Sequence, residues 1–138
     1  MAKTVRTGLK PASEQPWVEP MPGVEMKVLA VDEATNGVEY LLKLAPGYDS
    51  GRHRHNCETY VYVVEGSVVN ETTGVAFAAG DFCYQPHGDD HVEKAGPEGA
   101  LLLGSLRHGD EALIEFFDDG GQVVGQISAA DYAAMVSR

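Results

Sequence analysis

At 138 residues the chain is long enough for one domain to bury a core without staples. Ten Lys and Arg against 21 Asp and Glu give a net charge of −11, which repels phosphates and argues against a nucleic-acid partner. No apolar run approaches the roughly 20 residues of a membrane span, so no membrane association is expected. The basic start "MAKTVRTGLKPASEQ" lacks the apolar h-region of a signal peptide. Two cysteines, Cys57 and Cys83, make no disulfide framework, and a cytoplasmic protein with reduced thiols is expected.

Residues 1–20 read as an irregular leader or arm, rich in Pro and polar residues, with Trp17 as an anchor. Over residues 21–127 short segments follow one another: "VEMKVLAV", "VEYLLKLA", "RHRH", "TYVYVVEG", "SVVN", "VAFA", "DFCYQP", "HVEKA", "LLLGSL", "ALIEFF" and "QVVGQI". Most are rich in Val, Ile, Leu, Phe or Tyr, and Gly, Pro, Asp or Asn separates them. Such short strands with frequent turn signals predict an all-β antiparallel barrel. A helix is expected over residues 128–138, where Ser128 can cap "AADYAAMVSR" and Asp131 lies three residues on. Tyr132, Met135 and Val136 then share one face, suited to docking on the barrel.

Within "GYDSGRHRHNCETYVYVVEG" two histidines stand two apart. In a strand, residues i and i+2 point to one face, so His53 and His55 can converge on a metal ion as neutral imidazoles. Taken alone, the pair fits equally two surface histidines in a basic turn beside Arg52 and Arg54. Glu58 and Thr59 follow closely, and the question is whether either completes a site.

The surrounding spacing adds to the pair. Gly47 precedes His53 by six positions and Gly66 closes the following strand. Downstream, "GDFCYQPHGDDHVEK" places Gly80, Pro86, Gly88 and His91 in the order G-x5-P-x-G-x2-H. Together these stretches resemble the paired motifs of the cupin superfamily, G-x5-H-x-H-x3–4-E-x6-G and G-x5-P-x-G-x2-H, over roughly residues 17–106. The resemblance implies a double-stranded β-helix, a jelly-roll barrel with a short C-terminal helix, and His53, His55 and His91 as metal ligands. One fixed position departs from the pattern. The glutamate should stand seven residues before Gly66, and that residue is Thr59. Glu58 is one step out of register, on the opposite strand face unless a bulge intervenes, so it is only a possible fourth ligand.

Three histidines without a carboxylate leave a divalent ion its full charge and several open positions. Two can take an O,O-chelating enolate or hydroxyketone, and a third O2 or water. Among cupins this resembles the acetylacetone-cleaving (β-diketone) dioxygenases, and the tail "EFFDDGGQVVGQISAADYAAM" is similar to the end of that group and of dihydroxyacetophenone dioxygenases. The resemblance implies Fe(II), with Zn, Ni or Mn as other ions such a site accepts, and a small-molecule substrate with O2 as partners. The stretch "WVEPMPGVEMKVLAVD" with "LAPGYDSGRHRH" also resembles the zinc-binding cupin domain of ChrR-type anti-sigma factors. That domain keeps the glutamate in register and follows a sigma-binding domain, for which about 20 leading residues are too few; the similarity is read as one of fold. The expected function is therefore an Fe(II)-dependent dioxygenase that breaks a C–C bond in a β-diketone or hydroxyketone. The alternatives are a non-catalytic Zn or metal-binding sensor and a metal-dependent isomerase or lyase.

Gln85, six residues before His91, could orient substrate or water, or simply end a strand. Thr59 could wall the site or bind water. His87 and His108 read as exposed loop residues. Phe77, Phe82, Leu102, Val61 and Val63 are candidates for a pocket lining or for plain core. Tyr60 and Tyr62 should face outward, and their coverage by a second copy predicts a homodimer.

Overall fold

From Val24 onward apolar side chains recur with a period near two, which gives each segment one buried face. The computed structural model describes residues 5–6 and 11–136. Two antiparallel sheets arise. The larger has β1 (Val5–Arg6), β2 (Val18–Met21), β3 (Val24–Asp32), β4 (Gly37–Leu44), β6 (Glu58–Asn70), β7 (Val75–Ala78), β8 (Phe82–Gln85) and β10 (Glu93–Arg107). The smaller runs β12–β11–β5–β9, with β5 (His53–His55), β9 (Asp89–His91), β11 (Ala112–Phe117) and β12 (Val123–Ser128). These sheets form the jelly roll expected from the motifs. Among the described residues no helix is long and apolar enough to cross a membrane.

The arm is more ordered than its composition predicts. Val18 and Met21 pair with Met26 and Val24 of β3, satisfying backbone groups that an edge would leave open. Before β2, a 3-10 turn at Ala12–Glu14 accepts a 2.7 Å hydrogen bond from Lys27 Nζ at the Ala12 carbonyl. Trp17 lies under two ammonium groups, those of Lys27 and Lys43, at 5.1 and 4.6 Å from its ring centre. At the other end α1 (Ala129–Val136) starts on a reciprocal cap. The Ser128 N–H donates to Asp131 Oδ2 (2.8 Å) and the Asp131 N–H to Ser128 Oγ (3.2 Å). Tyr132 and Met135 pack on the core. Residues 1–4, 7–10 and 137–138, and the side chain of Val136, lie outside the described residues.

Two apolar clusters fill the barrel. One, below α1, centres on Leu106 and Leu113, each almost fully buried; the other joins Val63, Val68, Ala100 and Leu102. Phe82, a candidate for the lining, is 60% exposed. It pairs with Tyr62 across β6 and β8, so the pleat sends both to the outer face.

Gly66 reads as a strand end and "HVEKA" and "LLLGSL" as separate segments, yet β6 runs on through Gly66 and β10 joins both segments in one long strand. Their ladder breaks between Ala95 and Ala100 and resumes at Ala100 opposite Gly66. Gly66 has φ 75°, and a Cβ there would collide with the Gly99 carbonyl oxygen. The glycine is thus a bulge device that bends the two longest strands around the barrel. Gly66→Ala should lose about 3 kcal/mol from strain and overpacking together, read as a lowered denaturation midpoint; an unchanged midpoint would mean the bulge relaxes freely.

Candidate metal centre

His53 and His55 share one face of β5, as i, i+2 spacing requires. The smaller sheet pairs β5 with β9 so that His91 stands directly opposite His53. Glu93 follows His91 by two residues, at the start of β10, and brings a carboxylate to the same place. Ring centres are 5.0 Å apart for His53–His55, 4.5 Å for His53–His91 and 4.9 Å for His55–His91. One donor atom from each of His53, His55, His91 and Glu93 lies within 4.8 Å of all the others, which makes these four residues a potential metal site. All three histidines are buried, and the Glu93 side chain stays about one quarter accessible.

The outer nitrogens hold the rings in place. His53 Nδ1 donates to the Gly51 carbonyl at 3.0 Å, and His91 Nδ1 to Asp89 Oδ2 at 2.5 Å. His55 Nδ1 lies 2.9 Å from Thr59 Oγ1. Nδ1 donates at His53 and His91, and in the neutral rings this leaves Nε2 with its lone pair toward the centre, as metal-bound histidines require; the Thr59 hydroxyl can accept in the same way from His55. Two observations fit a cation there. His55 Nε2 is buried with no hydrogen-bond partner. His91 Nε2 stands 3.0 Å from Glu93 Oε1, with His53 Nε2 at 3.6 Å from the same oxygen. Neutral imidazole lone pairs facing a carboxylate need a proton or a positive ion between them.

The charges follow this geometry. Burial, then the neighbouring His53 and His91, pushes His55 down to about 3, so it stays neutral. Burial also opposes charge on His91, but the hydrogen bonds and charges of Glu93 and Asp89 prevail and raise it. For Glu93 burial again acts upward, and the hydrogen bonds and charges of His53 and His91 outweigh it, holding the carboxyl well below its usual range.

The acid at Glu58 is elsewhere. Its carboxylate accepts from His108 Nδ1 at 2.7 Å and from the Tyr60 and Tyr84 hydroxyls at 3.4 and 3.5 Å, on the outer side of β6. That is where a one-residue offset sends it. The carboxylate in the cluster is Glu93, so the expectation of three histidines with no acid gives way to a group of three histidines and one acid. The signal was present in "HVE", which repeats on β9–β10 the i, i+2 spacing of "HRH". Thr59, fully buried at the motif glutamate's position, braces His55. Gln85 pairs with Thr59 across β6 and β8 and is buried beside the cluster. His87 and His108 are exposed and face Asp110 and Glu58.

A cavity of about 120 Å³ opens on His53 and Glu93. Its other walls are mainly apolar, among them Leu102, Ile114 and Phe116, together with Met21 of β2 and Met135 of α1. Tyr40 and Tyr132 also line it, and burial pushes both phenols well up, so they stay protonated.

A β-jelly roll with a buried histidine and carboxylate cluster is the arrangement of a cupin. The family model described as a ChrR cupin-like domain matches residues 7–109, and the chain belongs to that family. The likeness to ChrR is therefore one of family and not of fold alone. A search of curated proteins returned no match. Among solved structures, an RmlC-like cupin from Ralstonia eutropha is 21% identical, covering 95% of this chain and 85% of that one, with a TM-score of 0.84. An acetylacetone dioxygenase from Acinetobacter johnsonii is 16% identical over 99% and 95%, with a TM-score of 0.78. The complex of Rhodobacter sphaeroides SigE with the anti-sigma ChrR is 20% identical over 70% of this chain and 52% of that one, with a TM-score of 0.59. At these identities the solved structures add the fold alone, and the family rests on the matched family model.

Thr59→Val should weaken zinc binding about 10-fold by freeing the His55 ring, and His91→Ala should abolish it, both read by calorimetric titration. Protons should compete with the metal at His91 and not at His55. A raised His91 holds its proton above the ordinary 6.5, so affinity should climb as pH rises past that value and level off once the ring is neutral. A flat profile, or one unmoved by Asp89→Asn, would count against this assignment.

Proposed function

We propose that the chain is a non-haem Fe(II)-dependent dioxygenase acting on a small O,O-chelating substrate, a β-diketone or hydroxyketone. The observation that carries this reading is the apolar cavity that meets the cluster at His53 and Glu93. A purely structural ion needs no chamber beside it, and with four protein donors a six-coordinate ion would keep two positions, enough for the substrate's two oxygens, with O2 meeting the substrate from the chamber. At about 120 Å³ the chamber falls below the ~300–1,000 Å³ of drug-sized sites, so the substrate is compact. Fe(II) held by His53, His55, His91 and Glu93 would supply Lewis acidity toward a chelating enolate and one-electron chemistry with O2.

The protein's own residues do the rest. Leu102, Ile114 and Phe116 exclude water, which strengthens every charge interaction at the centre. Tyr40, kept protonated, is placed on the cavity wall to donate a hydrogen bond to a substrate oxygen. Thr59 and Asp89 hold two of the rings, and Gln85 sits next to Thr59. Glu58 has no part, being engaged with His108. The two cysteines are free, which suits a reducing cytoplasm. The acetylacetone dioxygenase among the solved structures supports this reading. A zinc-binding sensor without catalysis is the second reading, favoured by the ChrR family match and by four donors that suit tetrahedral zinc.

Oxygen uptake by the Fe(II)-loaded protein, offered a panel of β-diketones and hydroxyacetophenones, separates the two. Consumption dependent on substrate is expected, falling at least 10²-fold in His91→Ala. No uptake with any of them, while zinc still binds tightly, would leave the sensor.

The same reading includes a homodimer. Tyr62, Phe82, Tyr84 and Leu103 are 42–60% exposed and contiguous on the outer face of β8, β6 and β10. Light scattering should give twice 14.8 kDa, and Tyr62→Lys with Phe82→Lys should give monomers; a 14.8 kDa wild-type species would remove the dimer.

A further inference from the structure

Among the described residues, three buried side-chain atoms lack a hydrogen-bond partner: Gln15 Oε1, His55 Nε2 and Gln85 Oε1. A metal ion accounts for His55 Nε2. Gln85 needs another explanation, because a buried carbonyl without a donor costs about 1–3 kcal/mol. The residue is 4% exposed, and the other end of its amide reaches only Cys83 Sγ at 3.9 Å.

Beside it lies a second cavity of about 10 Å³, walled by aliphatic side chains such as Val63 and Leu102. Gln85, Cys83 and Glu93 bring its polar atoms. That volume is close to the least that holds one water, which needs two to four polar partners. Gln85 Oε1 and the Glu93 carboxylate are both acceptors, and water carries two hydrogens. Dioxygen, also small enough, donates none and would leave both acceptors unsatisfied. This site and the larger chamber meet at Glu93 and Leu102, the two residues that line both.

We propose that Gln85 and Glu93 share one buried water here, and that Gln85 through it holds the Glu93 carboxylate toward the histidines. Gln85 is thus a positioning residue for the acid of the cluster. It braces Glu93 as Thr59 braces His55 and Asp89 braces His91. The positioning role rests on the metal-centre reading; the bridge itself does not.

The test joins crystallography with titration of Co(II), whose d–d spectrum reports coordination number. The wild type should show one ordered water within hydrogen-bond distance of Gln85 and Glu93. Gln85→Met and Gln85→Leu should lose it and bind Co(II) about 10-fold more weakly, with a spectrum shifted toward that of Glu93→Gln. Their metal-free thermal midpoints should stay near or above the wild-type value, because an apolar side chain removes the buried amide. A wild-type cavity without the water, or variants with wild-type Co(II) affinity and spectrum, would overturn the proposal. A wild type that holds the water but binds no Co(II) would overturn the metal-centre reading and leave the bridge supported.

Discussion

Everything in this fold answers to one electrostatic constraint: three imidazole lone pairs and a carboxylate are aimed at a common point inside an apolar barrel. Unmet, that arrangement is costly, since buried lone pairs that face one another repel and have no water to turn to. It persists because each donor is braced from behind. Gly51, Thr59 and Asp89 take the outer nitrogens of His53, His55 and His91. With the rings fixed, a proton or a cation is what balances the centre.

The sheet pairing supplies the convergence. The antiparallel register of β5 with β9 sets His91 opposite His53, and the two-residue period then adds His55 on one strand and Glu93 after the other. Had β9 slipped by one residue, the pleat would have turned His91 and Glu93 to the other face together. The outer face carries its own locks: Arg52 and Arg54 both reach Asp90, which pairs with Arg54 in that same register. These exposed pairs add little stability individually, yet they sit where a slip would separate them.

How much of this was legible in the chain differs by element. The jelly roll and the grouping of His91 with the pair could be read through the resemblance of the two motifs to cupins, whereas strand spacing alone put only His53 and His55 on one face. Glu58 could be placed too, since a single offset in "CET" decides its side. Glu93 was missed because "HVEKA" read as an ordinary strand, although the i, i+2 spacing of "HVE" puts Glu93 on the face of His91 once that histidine is taken as inward. The long strands were misread for another reason. A glycine with positive φ ends a strand or bends it, and Gly66 does the second because Gly99 lies against it. Local composition carries no trace of that long-range approach. Phe82 shows the same limit, since apolar type alone does not give the face.

The walls of the larger chamber come from the two extremes of the described chain, Met21 on β2 and Met135 on α1, whereas every residue of the donor cluster lies between positions 53 and 93. During synthesis, therefore, the stretch that carries the four donors emerges well before the wall beside it is complete, because α1, which brings Tyr132 and Met135 to that wall, comes later in the chain. Assembly of the cluster and closure of the wall are separable steps of folding.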